Sequence, residues 1–396
     1  MKRDRSYFTD IYCDQRHKTG KYCFGDVFLN RRIKEEGRTL LVLSDGMGSG
    51  AKANVLATLT ASMSINFNLS KGRLKEVSEI IMDTLPVCSV RRISYSTFTI
   101  VEIENDGTTH LVEFDNPKAI VIRRGKLLDL DYEKIVLGGS KHAGRVMTYT
   151  NFMPQIGDRV VFWSDGVTQS GTGSKRLPLG WGLKDLTDFV LNIVSSDKDI
   201  SSRRLSKKVI NRAVQNDIFK PKDDISVVSI FYRKPRKLLI CTGPPYEKSK
   251  DYQFAKEVES FNGERIICGG TTTDILIREL DLKVESEMKV TDRELPPISF
   301  IEGFELVTEG VMTLDKVLRL LENFDGEENL QNGPADKIIK HIISNDEIYF
   351  LTGSRLNETN FDPSLENEMK IRKYIVERIK EILEEKLIKH VKIKFI

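Results

Sequence analysis

RTLLVLSDGMGSG, residues 38–50, is an apolar β-type run that stops abruptly at a Gly-rich turn, leaving Asp45 at its end. RVVFWSDGV, residues 159–167, repeats the arrangement with Asp165. GDVF at 25–28 places Asp26 before the first of these runs, and KDDISVV at 222–228 places Asp223 and Asp224 after the second. An aspartate at the end of a buried strand points into whatever occupies the end of the sheet. Several ionised carboxylates gathered there are unfavourable unless cations neutralise them. Hard divalent ions with oxygen ligands, Mg²⁺ or Mn²⁺, suit such a donor set. S-D-G is also an ordinary turn tripeptide, and either site taken alone reads that way. Two S-D-G turns after apolar strands, flanked by G-D-x-F and D-D-I-S-V, form a pattern that turn chemistry does not call for.

Around these segments the chain alternates irregularly. KYCFGDVFL reads as a strand, GSGAKANVLATLTASMSINFNL as a helix, and RLKEVSEIIMDTL as a second helix with Leu74, Val77, Ile80, Ile81 and Leu85 at helical spacing before Pro86. STFTIVEIE, THLVEFD and KAIVIRRGK are short strands separated by turn signals. KDLTDFVLNIV and SRRLSKKVINRAV read as helices, and DISVVSIFYR as a strand. The order implies an α+β class rather than regular βαβ alternation. A basic break at RKPRK (233–237) divides a first domain, 1–234, from a second, 236–396, where the rhythm becomes repeated βα.

The motifs GDVF, LSDGMGSGA, WSDGV and DDISV, in this order, resemble those of the metal-dependent PPM (type 2C) serine/threonine protein phosphatases. The sporulation stage II protein E-like branch resembles this chain most, over about residues 15–232. DNPKAIVIRRGKL also looks like that branch's strand-turn-strand segment. The resemblance implies an α-β-β-α sandwich with two divalent cations, Mn²⁺ or Mg²⁺, at one end of the paired sheets. Carried over by motif, Asp26 would bind one metal, Asp45 would bridge both, and the Gly46 carbonyl would join the first. Asp165 and Asp223 would hold the second metal, with Asp224 able to exchange roles with Asp223. Asp45 and Asp165 would be the catalytic supports. Two cations sharing a water lower its pKa towards neutrality, so the phosphoester would be hydrolysed directly, without a phosphoenzyme. No C-x₅-R motif is present for a cysteine-based alternative. Two positions depart from the wider family. Met47 stands where the eukaryotic branch has a histidine, as in the stage II protein E-like branch, and leaves the general acid unassigned. The family's phosphate-binding arginine near the N-terminus has only Arg16 and Lys18 as counterparts.

A shift of the helix that follows Gly50 would move Asp45 or Gly46, so a switch is one reading of it and a plain core helix the other, with Val55→Ala as a probe. His142, in the Gly-rich loop GGSKHAGR, reads as a surface residue and Trp163 as core. In the second domain four apolar strands end in CTGPP, CGGTTT, VTEG and LTGSR. In a parallel α/β sheet such loops gather at the carboxyl edge. Thr242, Gly243, Gly269, Gly270, Thr271, Thr272, Gly310 and Gly353 are therefore candidates for a small anionic ligand. Turns and helix caps account for each loop separately. Neither G-x-G-x-x-G nor a P-loop motif occurs.

The 396 residues fit two or three domains at ~150 residues each, and 40% hydrophobic residues suffice for packed cores. Lys and Arg (61) nearly balance Asp and Glu (58), which gives no electrostatic case for a nucleic-acid partner. No apolar run reaches the ~20 residues of a membrane helix and the charged start lacks a signal-peptide core, so a cytoplasmic protein is expected. Five scattered cysteines indicate neither a disulfide framework nor a zinc site. The expected partner is a Ser/Thr-phosphorylated protein, with a homodimer open. Two other readings remain at this point: a pseudophosphatase or regulatory binding module, and a nucleotide-binding second domain with an accessory phosphatase.

Overall fold

The computed structural model describes residues 7–33, 35–48, 50–68, 80–82, 84, 96–137, 144–287, 295–296, 298–324, 329–353, 364–387 and 389–396. The chain divides into two compact units, Met1–Lys234 and Pro235–Ile396.

The first unit contains two sheets. Its strands are β1 (Phe8–Arg16), β2 (Asp26–Ile33), β3 (Arg38–Gly46), β4 (Ser96–Ile103), β5 (Thr109–Phe114), β6 (Ile120–Arg123), β7 (Lys126–Leu127), β8 (Glu133–Val136), β9 (Val146–Phe152), β10 (Arg159–Trp163) and β11 (Ile225–Arg233). One sheet runs β1-β11-β10-β6-β7 and the other β2-β3-β4-β5-β9-β8. Alternation along the strands gives each sheet two apolar faces. Leu41, Leu43, Val101 and Leu111 of one sheet pack on Val121, Phe162, Val228 and Ile230 of the other, which makes the central layer. The outer face of the six-stranded sheet, with Val42, Phe98 and Val112, is covered by α1 (Ala51–Asn68) through Ala61 and Ile65. The outer face of the five-stranded sheet carries Trp163 and Val227. It is covered by α3 (Leu183–Ser196) and α4 (Ser202–Asn216), while the single turn α2 (Asp165–Thr168) leaves the end of β10. The unit is thus a four-layer α-β-β-α sandwich.

Three local expectations change. Residues 21–25 precede β2, which begins only at Asp26 and continues through polar Asn30, Arg31 and Arg32, because its pairing with β3 starts at Asp26 opposite Asp45. β1 escapes a reading based on apolar runs because FTDIYCDQR alternates with polar residues. Val55 is 64% exposed, whereas Ala53, Ala57, Thr60, Ala61 and Ser64 face inward. Val55→Ala therefore does not probe the packed face of α1. Of the helix expected over 73–85, residues 80–82 and 84 are described, and Ile81 and Met82 join the core beneath α1. Leu74, Val77 and Leu85, like His142, lie outside the described residues.

The second unit is a seven-stranded sheet in the order β14-β15-β16-β13-β12-β17-β18. In chain order its elements are β12 (Lys237–Thr242), α5 (Asp251–Glu259), β13 (Glu264–Cys268), α6 (Gly270–Leu280), β14 (Val284–Glu287), β15 (Ser299–Ile301), β16 (Leu306–Thr308), α7 (Val311–Glu322), α8 (Pro334–Ser344), β17 (Glu347–Thr352), α9 (Ser364–Glu385) and β18 (His390–Phe395). β16, β13, β12, β17 and β18 are parallel, and β14 and β15 add an antiparallel edge. Leu238, Ile240 and Phe350 face α7, α8 and α9. Leu239, Cys241 and Leu351 face α5 and α6, so the unit has three layers. Among the described residues no helix is long and apolar enough to cross a membrane.

Candidate metal centre

The aspartates singled out in the sequence come together at one end of the sandwich. Asp26 begins β2 and faces Asp45, near the end of β3, in the antiparallel register. Asp165 opens α2 after β10, and Asp223 and Asp224 lead into β11, the neighbour of β10 in the other sheet. Both sheets therefore contribute carboxyl groups from four separate stretches of chain. The carboxyl of Asp45 lies close enough to those of Asp26 and Asp165 to act on both, so the three form a chain centred on Asp45.

Each carboxyl is held from behind. The Ser226 hydroxyl donates to Asp26 Oδ2 at 2.6 Å, and the nearby Ser164 side chain also favours the charged form of Asp26. Ser226 is itself fixed, since its amide donates to Ser164 Oγ (3.1 Å) and its hydroxyl accepts from Gln15 Nε2 (2.9 Å). Gln169, one helical turn on, donates to Asp165 Oδ2 at 2.8 Å. Ser96 Oγ donates to the Asp45 carbonyl at 2.9 Å, which fixes the end of β3 against β4. These supports were not among the sequence-level candidates. Ser164 could have been found as the serine of the second S-D-G, and Ser226 as the serine of D-I-S-V.

Asp224 behaves differently from Asp223. It is buried, and its two oxygens accept the backbone amides of Lys18 (2.9 Å) and Gly25 (2.7 Å), pinning both ends of the segment that precedes β2. Asp223 is nearly half exposed and turns towards Lys18, whose Nζ lies 4.0 Å away. Arg16 does not reach the cluster, because its guanidinium donates to Asp14 Oδ1 (3.1 Å) and to the Gln15 carbonyl (2.7 Å).

Burial is the first cause that raises these carboxyls, and the neighbouring carboxylates add to it. Asp26 is pushed up to about 7 by burial against the pull of Ser226 and Ser164. Asp45 is held well above the usual carboxylate range by burial and by Asp26, Asp165 and Asp223. Asp165 and Asp223 are raised too, with Asp223 opposed by Lys18. One ammonium does not offset four carboxylates. Among the described residues no three carboxyl, imidazole or thiol groups are already arranged as a cage around a single point. The donor set, all oxygen and short of positive charge, fits hard divalent cations.

Backbone contact is as close as the geometry permits. A β-carbon on Gly46 would lie 2.0 Å from the Ala53 carbonyl oxygen in α1. Gly46→Ala must therefore push β3 away from α1, with an expected cost of about 1–3 kcal/mol. Urea unfolding checks the cost, and a weakened Mn²⁺ dependence of the melting temperature checks the displacement of Asp45.

The profile of the Stage II sporulation protein E (SpoIIE) family matches residues 35–233. The chain belongs to the SpoIIE family. Several solved structures are similar to this SpoIIE-family chain. The phosphatase domain of SpoIIE from Bacillus subtilis, in a crystal form without domain swapping, is 15% identical, with 58% of this chain and 94% of that one covered and a TM-score of 0.43. The serine/threonine phosphatase PstP/Ppp of Mycobacterium tuberculosis is 15% identical, with 57% and 99% covered and a TM-score of 0.40. RsbX in complex with magnesium is 14% identical, with 58% and 97% covered and a TM-score of 0.39. No curated protein matches the chain. The SpoIIE-family match starts after Asp26 and Lys18, so those residues are tied to the site by the β2–β3 register and by Asp224.

Proposed function

We propose that the first unit is a metal-dependent protein serine/threonine phosphatase acting in bacterial signalling, with two Mn²⁺ or Mg²⁺ ions as cofactors. The observation that carries this reading is the carboxyl chain Asp26–Asp45–Asp165, drawn from both sheets of a SpoIIE-family sandwich. Asp26, Asp45 and the Gly46 carbonyl would hold one ion, and Asp45, Asp165 and Asp223 the other. When bound, such ions neutralise phosphoryl oxygens and lower the pKa of water. The protein's own part is orientation. Ser226 and Ser164 fix Asp26, Gln169 fixes Asp165, and Asp224 holds the Lys18–Gly25 segment beside the cluster. Lys18 is the basic group placed to meet a phosphoryl dianion, because its ammonium already stands at the cluster's open side by Asp223.

Lys18→Met should raise KM for a phosphopeptide about tenfold with kcat little changed, as expected for loss of one charge-assisted hydrogen bond. Arg16→Met should leave both constants near wild type, since Arg16 is occupied by Asp14. The reading as a whole is tested by hydrolysis of p-nitrophenyl phosphate and of phosphoserine and phosphothreonine peptides by the full chain. Activity should appear with Mn²⁺ or Mg²⁺ and disappear with EDTA. A folded, metal-replete chain that releases no phosphate from any of them would overturn it.

A further inference from the structure

The strand order of the second unit puts β12 at the centre of its five parallel strands. The chain winds outwards through β13 and β16 on one side, then returns through β17 and β18 on the other. The switch of direction lies between β12 and β17, and in open parallel sheets ligands bind at the carboxyl end of that crevice.

The last residues of four adjacent strands form one register row: Thr308 opposite Cys268, Cys268 opposite Thr242, and Thr242 opposite Thr352. They continue the face that carries Leu238, Ile240 and Phe350, so their side chains lie under α7, α8 and α9. Thr242 and Thr352 are 0% and 2% exposed, and neither hydroxyl has a hydrogen-bond partner among the described residues. The same holds for Thr272 and Thr313, in the first turns of α6 and α7. Thus all the unpartnered buried hydroxyls of the second unit's described residues belong to the strand ends and helix starts of one sheet edge. Buried hydroxyls are ordinarily paired, and a cluster of unpaired ones is the pattern left by an absent partner.

The surroundings specify that partner. α6 is preceded by Gly269, which offers no side-chain cap, and Gly270 and Thr271 are exposed, so the first amides of the helix are open. A β-carbon on Gly269 would sit 3.3 Å from Thr272 Oγ1 and 3.8 Å from Gly310 Cα. The Thr272 hydroxyl therefore faces a cradle that only glycine leaves empty. α7 is less available, because Glu309 Oε2 accepts the Thr313 amide at 3.3 Å. At the other end of the row, Arg372 Nη1 lies against Gly243, 2.5 Å from where a β-carbon would stand.

We infer that this edge binds a small phosphate-bearing molecule. Its phosphate takes the amino end of α6 and the Thr272 hydroxyl, and its further oxygen atoms reach the Thr242–Thr352 row and Arg372. Neither the hydroxyl cluster nor the cradle belongs to the aspartate site, so the inference stands apart from the phosphatase reading.

The test titrates the full chain in EDTA, which strips cations from the aspartates, with inorganic phosphate, pyrophosphate, ribose 5-phosphate and AMP. At least one probe should bind. Thr242→Val and Thr272→Val, which keep side-chain volume, should each weaken that binding about tenfold, roughly one hydrogen bond's worth. Thr272→Ser, which keeps the hydroxyl, should bind as wild type, while Asp45→Asn should leave the titration unchanged. Circular dichroism and melting temperature establish that each variant is folded. The inference is overturned if no probe binds the folded chain at millimolar concentration, or if binding is the same in the two valine variants.

Discussion

Asp45→Asn is expected to lower p-nitrophenyl phosphate turnover at saturating Mn²⁺ by at least ~10²-fold, the scale of what cation-assisted water activation supplies. The argument is positional. Asp45 is the carboxyl between Asp26 and Asp165, and it feels Asp26, Asp165 and Asp223 together. An amide in its place keeps the size but removes the charge that both halves of the donor set share. Asp223→Asn, at the exposed end and partly balanced by Lys18, should cost less. Measuring kcat for the two variants side by side decides the ranking. Wild-type turnover in Asp45→Asn would remove the two-cation reading altogether.

The second large effect concerns stability without metal. Asp26 is pushed up to about 7 in the folded chain from an ordinary value of 3.8, so folding favours its protonated form. The stabilisation is complete below pH 4 and is lost as pH rises through about 7. In EDTA the wild-type melting temperature should therefore fall between pH 5 and pH 8. Asp26→Asn, which cannot ionise but can still accept from Ser226, should lose less over that interval, by about 3 kcal/mol. Glu113 is also pushed up to about 7 by burial, so the comparison with the variant, not the wild-type slope alone, isolates Asp26. Mn²⁺ should reverse the trend in the wild type, stabilising it more at pH 8 than at pH 5, and should do little for Asp26→Asn. Equal slopes for the two proteins in EDTA would show that Asp26 is not a strained carboxyl.

The aspartates were legible because the feature that marks them is local: an apolar run, then S-D-G. The same locality explains what was missed. Ser226 supports Asp26 across two hundred residues of chain, and no short pattern announces that contact. Arg16 and Lys18 look interchangeable in sequence, yet Arg16 projects from the end of β1 onto Asp14 while the Lys18 backbone is tied to Asp224. Four of the second unit's parallel strands, β12, β13, β16 and β17, were readable as apolar runs, since buried parallel strands are apolar on both faces, whereas the antiparallel β14 and β15 were not read. Their spatial order was not, because it depends on which side each crossover takes.

β1 and β11 are neighbours along their whole length, with Phe8 opposite Arg233 and Arg16 opposite Ile225. The second strand is made more than two hundred residues after the first. At ~5–20 residues per second the ribosome needs about 10–40 s to supply the missing partner. During that interval β1 has no β11 to pair with and Asp26 has no Ser226. The nascent chain therefore carries no assembled aspartate centre until the whole first unit has emerged.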